Sequence, residues 1–216
     1  MYKYILFDLD GTLTDPEIGI TNGVMYALNK FGIEVADRKE LHCFIGPPLV
    51  DAFMKYYGFS LEDAKKATAF YREFFRETGI YQNSVFEGID KLLKTLKNAG
   101  KTLILATSKP QEFAEIVLKY FNLSRYFDCV VGATFDGTLN YKSDIIKVAL
   151  EQCEITDTQN AVMIGDRHHD IEGAKENNLK SIGVLYGFGN REELENSGAD
   201  YIVNSPFELM EILIEN

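Results

Sequence analysis

From about residue 85 onward the chain alternates short β-rich runs with amphipathic stretches of helical length, and few architectures accept that pattern. The runs fall at 102–106, 129–132, 161–164, 181–184 and 201–203. The helical stretches fall at 88–99, 111–121, 142–153, 170–177, 192–197 and 206–214. Repeated strand and helix imply right-handed crossovers and a Rossmann-like parallel sheet with helices on both faces. Near the start, Ile5, Leu6 and Phe7 form one more apolar run. Continuous apolar runs suit the centre of a parallel sheet. Gly100, before a strand, and Asn122, after a helix, read as helix stops.

Residues 16–83 have a different texture. Ile20, Val24, Ala27, Leu28 and Phe31 recur at helical spacing, and further helices are expected over 41–45, 49–57 and 61–77. No strand-like run interrupts them. The expected organisation is an α/β core domain of residues 1–15 and 84–216 with an inserted all-helical domain of residues 16–83.

The net charge of −11 and pI near 4.8 argue against a nucleic-acid polymer or an anionic membrane as partner. Cys43, Cys129 and Cys153 have no Cys-x-x-Cys spacing, so free thiols are expected, buried for Cys129 and Cys153 in their apolar contexts. That usage fits a reducing cytoplasm. No apolar segment has membrane-spanning length, and Asp8 and Asp10 interrupt the first apolar patch too early for a signal peptide. A cytoplasmic protein, monomeric or a weak homodimer, is the expectation.

The chemistry gathers where strands end. Asp8 and Asp10 follow the first run, and Gly11 breaks it. Open α/β sheets bind ligands at that carboxyl edge, and paired carboxylates there repel each other unless a cation or a reaction uses them. A strand-ending Asp-Gly turn is the plainer reading. Thr107 and Ser108 end the second run before a helix, as an oxyanion site or an ordinary N-cap. Lys142 opens a helix, where the dipole disfavours a cation, and serves either a nearby anion or solvent. Asp166 and Asp170 follow the run at 161–164 and offer oxygen ligands suited to magnesium, or an acidic helix start. His168 and His169 are adjacent and are expected to point apart on a helix surface.

Asp8-Leu-Asp10-Gly-Thr-Leu-Thr, Thr107, Lys142 and Gly165-Asp166-x-x-x-Asp170, in this order along an α/β pattern, resemble the four motifs of the haloacid-dehalogenase-like hydrolase superfamily. The resemblance covers essentially the whole chain. The helical insertion resembles that superfamily's small cap. Phe44-Ile-Gly-Pro-Pro-Leu49 and Gly183-Val-Leu-Tyr-Gly-Phe188 are similar to segments of phosphoglycolate-phosphatase-like enzymes and their 5′-nucleotidase relatives.

The resemblance implies a Mg2+-dependent phosphatase acting on a small-molecule phosphate ester through an aspartyl-phosphate. It makes Asp8 the nucleophile and Asp10 the acid and base. Thr107 and nearby groups such as Ser108 hold the phosphoryl oxygens, and Lys142 neutralises Asp8 and the substrate. Asp8, Asp166 and the Asp10 carbonyl hold magnesium, with Asp170 orienting Lys142 or a metal-bound water. Asp10 itself points to an oxygen leaving group, because displacing halide from carbon needs no acid. A phosphoglycolate phosphatase is the leading expectation. A 5′-nucleotidase, a pyrophosphatase, a hexose-phosphate mutase and an inactive phosphate-binding regulator are the alternatives. Ser143 stands where many relatives have proline, and Arg167 where many have a small hydroxyl residue. Arg167 is expected to face solvent.

Overall fold

The computed structural model describes residues 2–215 of the chain. In chain order its strands are β1 (Tyr4–Phe7), β2 (Thr14–Asp15), β3 (Ser84–Val85), β4 (Thr102–Pro110), β5 (Cys129–Ala133), β6 (Ala161–Gly165), β7 (Lys180–Val184) and β8 (Tyr201–Val203). Its helices are α1 (Glu17–Asn29), α2 (Leu49–Tyr57), α3 (Leu61–Glu77), α4 (Ile89–Asn98), α5 (Gln111–Tyr120), α6 (Lys142–Gln152), α7 (His168–Glu176), α8 (Arg191–Ser197) and α9 (Pro206–Glu215). Cα proximity divides the chain into two compact units. One holds the residues through Asp15 and from Val85 onward; the other holds Pro16–Ser84.

The first unit is built on a parallel six-stranded sheet in the order β5-β4-β1-β6-β7-β8. Central strands of such a sheet are covered on both faces, so every side chain must be apolar. Ile5, Leu6 and Phe7 meet that demand and are fully buried. Tyr4 aligns with Thr102 on one side and Ala161 on the other, which sets β1, β4 and β6 in step at their carboxyl ends. Leu6, Ile104, Val131 and Met163 from four neighbouring strands pack with Ile145, Ile146 and Ala149 of α6 and Ala174 of α7.

Helix ends follow local chemistry. Gly100 has φ of 73°, and its N–H and that of Lys101 donate to the Lys97 and Leu96 carbonyls. Asn122, at φ of 56°, does the same after α5 toward Lys119, with Leu123 closing on Leu118. Glycine and asparagine enter the left-handed region with least penalty.

In the second unit the apolar spacing of 16–83 becomes α1, α2 and α3, with Ala64, Ala67, Tyr71 and Phe75 of α3 buried. The helix expected at 41–45 is a 3₁₀ turn over Arg38–Phe44, started by the Asp37 side chain accepting from the Lys39 N–H at 2.9 Å.

The cysteines are free but only half-buried. Cys129 begins edge strand β5 and Cys153 lies just past α6, so each reaches the core from its margin. Among the described residues no helix is long and apolar enough to cross a membrane.

Leu6→Ala should lower unfolding stability by ~2–5 kcal/mol, the range for emptying a closed aliphatic site. Urea unfolding measures this. A loss near zero would mean the cluster around Leu6 collapses freely.

Candidate active site

Parallel strands in register deliver their following residues to one edge. Asp8 follows β1, Asp166 follows β6, and Thr107 to Lys109 complete β4. Lys142 opens α6, and Asp170 lies in the first turn of α7. The Asp8 N–H donates to the Ile164 carbonyl at 2.9 Å, which extends the β1–β6 pairing into the site.

Lys142 joins these segments. Its Nζ lies 2.8 Å from Asp8 Oδ1 and 2.8 Å from Asp170 Oδ1, and it donates to the Ala106 carbonyl at 3.1 Å. The side chain is 3% exposed, and Asp170 is 1% exposed. Burial opposes the charge on Lys142, but the carboxylates of Asp170 and Asp8 outweigh it and hold the ammonium up at about 12. A lysine set against the helix dipole therefore has anionic partners rather than solvent.

One carboxylate oxygen each from Asp8, Asp166 and Asp170 lies within 4.8 Å of the others. Burial pushes the Asp166 carboxyl well up, and the neighbouring carboxylates of Asp170 and Asp8 push it further. Burial likewise raises Asp170. Three carboxylates face one ammonium, so with all ionised the group has more anion than cation. The donors are all hard oxygens, the set that suits magnesium. The residues present thus fit a divalent cation.

Asp166 is walled closely. Its Oδ2 accepts from the Phe188 N–H at 2.8 Å, and Oδ1 lies 3.4 Å from the Thr12 hydroxyl. A Cβ on Gly11 or on Gly187 would collide with the Asp166 carboxylate, and Gly11 also has φ of 84°. Only glycine lets the backbone approach this closely.

Asp10 is held separately. The buried Nζ of Lys109 donates to Asp10 Oδ2 at 2.7 Å. Asp10 Oδ1 is buried with no hydrogen-bond partner among the described residues. Burial raises the Asp10 carboxyl above its ordinary range even though Lys109 pulls it down. Sequence reasoning missed Lys109. Its signal was the two-residue period of a strand, which sets Lys109 on the same side as Thr107. Thr107 is buried, and its Oγ1 accepts from the Lys109 N–H at 3.3 Å. The pairing of β4 with β5 slips between Thr107 and Pro110, which displaces Ser108 and Lys109 from the regular ladder. Ser108 is half-buried.

Two expectations at α7 are corrected. Arg167 does not face solvent: its Nε donates to Glu193 Oε1 at 2.9 Å. A carboxylate on α8 provides the partner. The rings of His168 and His169 do not diverge, their centroids being 3.7 Å apart. His168 starts the helix, and its Nδ1 is drawn to the same Glu193 oxygen at 2.7 Å. Burial would raise Glu193, but hydrogen bonds from His168 and Arg167 hold it down at about 2. Burial, with His168, Arg167 and Lys142 as neighbours, pushes His169 down to about 4.

The sequence profile of the haloacid dehalogenase-like hydrolases matches residues 5–184. A 5′-nucleotidase of Pseudomonas aeruginosa is 48% identical over 89% of this chain and 87% of its own length. The pyrophosphatase PpaX of Bacillus mycoides is 30% identical over 97% of this chain and 95% of its own. The crystal structure of a predicted phosphatase from Clostridium acetobutylicum superposes with a TM-score of 0.98 at 50% identity, covering both chains completely.

The Tyr186 hydroxyl is buried with no hydrogen-bond partner among the described residues, and its ring meets Phe86 edge-on at 5.2 Å. A buried unpaired hydroxyl destabilises a fold by ~1–3 kcal/mol. Tyr186→Phe should therefore raise the thermal midpoint. An unchanged or lowered midpoint would show that the hydroxyl is satisfied in solution.

Proposed function

The chain belongs to the haloacid dehalogenase-like hydrolase family and is a phosphatase; from that premise we propose that it hydrolyses small phosphate monoesters through an aspartyl-phosphate on Asp8. The observation that carries this reading is the division of labour between two neighbouring carboxylates. Asp8 is paired with Lys142, and Asp10 separately with Lys109.

In the first step an Asp8 oxygen attacks phosphorus in line and the bond to the ester oxygen breaks. The leaving oxygen takes a proton from Asp10. Burial, which raises the Asp10 carboxyl, favours the form able to give that proton. Lys109 fixes Oδ2, so Oδ1 is the atom we assign to the transfer. In the second step the Asp10 carboxylate takes a proton from water as the water oxygen attacks phosphorus. The bond to Asp8 breaks, phosphate leaves, and Asp8 is regenerated.

Lys142 holds Asp8 in line and lowers repulsion between that carboxylate and the anionic substrate. Thr107 and Ser108, at the end of β4, are assigned to the phosphoryl oxygens. Asp8, Asp166, Asp170 and the Asp10 carbonyl would hold Mg2+, which when bound supplies charge neutralisation to the transferring phosphoryl group.

For the substrate we propose a nucleoside 5′-monophosphate. Support comes from the 48% identical 5′-nucleotidase, which matches along nearly its whole length. Substrate choice is assigned to the inserted helical unit, Pro16–Ser84, since core motifs serve many substrates.

Phosphate release should be measured with nucleoside 5′-monophosphates, phosphoglycolate, sugar phosphates and pyrophosphate, with Mg2+ and with chelator. Nucleoside 5′-monophosphates should give the highest kcat/KM, by about tenfold or more. A lead for phosphoglycolate or pyrophosphate would overturn the substrate while leaving the chemistry. Asp8→Asn should abolish turnover, and Asp10→Asn should lower kcat by ~10²–10⁴. Retained turnover in Asp8→Asn would end the covalent mechanism.

A further inference from the structure

A second group of metal-ligating side chains lies beside the carboxylate cluster and shares none of its members. A ring nitrogen of His168, a ring nitrogen of His169 and a carboxylate oxygen of Glu172 lie within 4.8 Å of one another. We propose that these three residues form a separate site for a divalent transition ion of the zinc, nickel or cobalt(II) class.

The helix supplies the arrangement. The Asp170 carboxylate accepts from the Arg167 N–H at 3.1 Å at the start of α7, which fixes its first turn. Glu172 follows His168 by four residues and His169 by three, the two spacings that share a helix face. The adjacent histidines reach each other while one ring is held by a carboxylate of α8. His168 Nδ1 is bound to Glu193 at 2.7 Å, and the ring centroids then lie 3.7 Å apart.

Glu193 provides the independent support. It lies outside the ligand group, on α8, and its Oε1 also accepts from the His168 N–H at 3.0 Å and from Arg167 Nε at 2.9 Å. A histidine that ligates through one nitrogen characteristically gives the other to a carboxylate, which fixes tautomer and ring plane. His168 has that partner already in place.

Donor type selects the ion. Two imidazoles and a single carboxylate suit zinc, nickel, copper or cobalt(II), whereas magnesium demands oxygen ligands. The two sites therefore sort cations by chemistry. Ligand nitrogens sit ~2.0–2.1 Å from zinc, so drawing the three atoms onto one ion needs only modest side-chain rotation from the spacing present. Glu172 is exposed and both histidines are half-buried, which leaves entry open and a coordination position for water. An ion here ties down the turn that carries Asp170.

Isothermal titration of the intact protein with Zn2+ in excess Mg2+ tests this, with Co2+ visible absorption reporting the ligand set. Wild type should bind a single Zn2+ in the micromolar range. Glu172→Gln and His169→Gln should each weaken binding by about 10–100-fold. Asp8→Asn, which alters only the carboxylate cluster, should leave it intact. Glu172 is exposed, so its substitution spares the fold, and far-UV circular dichroism checks each variant. Absence of Zn2+ binding in wild type overturns the site. So does binding that survives Glu172→Gln and His169→Gln but is lost in Asp8→Asn, which would place the ion in the carboxylate cluster.

Discussion

The ammonium of Lys142 sits between the Asp8 carboxylate after β1, the Ala106 carbonyl in β4 and the Asp170 carboxylate of α7. This ammonium thus meets oxygens from three different stretches of chain. Removing one partner from a buried charge pair commonly costs ~3–5 kcal/mol, because the remaining charge is stranded. The same contacts that hold the carboxyl edge of the sheet together also aim the proposed nucleophile. Stability and positioning are here one arrangement.

Asp8, Asp166 and Lys142 were legible because each directly follows or opens an element whose apolar pattern is plain. Once the strands were placed parallel, their ends had to meet. Lys109 was missed although it stands two places beyond Thr107 in the same strand, where a lysine reads equally as a solvated strand end. Arg167 and the histidines were misread for a different reason. Their directions depend on Glu193, which belongs to a helix 26 residues from Arg167, and helical geometry alone carries no such information. The parallel sheet with helices on both faces was implied by class, but the order of its strands was not. Nor was the slip between Thr107 and Pro110.

An acidic protein that handles phosphate esters needs local positive charge. Lys109 and Lys142 are the buried cations at this edge, yet each is engaged with a carboxylate. Around Asp166, burial first and then the carboxylates of Asp170 and Asp8 raise the carboxyl. A divalent cation held there would offset those carboxylates, and for the same reason would favour an anionic substrate. The net charge of −11 therefore bears on the surface and not on what the edge of the sheet accepts.

The place of β1 in the middle of the sheet has a consequence for how the protein is made. Its neighbours lie at Thr102–Leu105 and Ala161–Ile164, so an emerging chain carries an apolar Ile5-Leu6-Phe7 segment long before either ladder exists. The helical unit, Pro16–Ser84, is contiguous and can consolidate as soon as it is synthesised. Pairings so distant in sequence close slowly and leave sticky strand edges exposed meanwhile. The strand that leads to Asp8 thus gains its first neighbour only with residues 102–105 and its second only with residues 161–164.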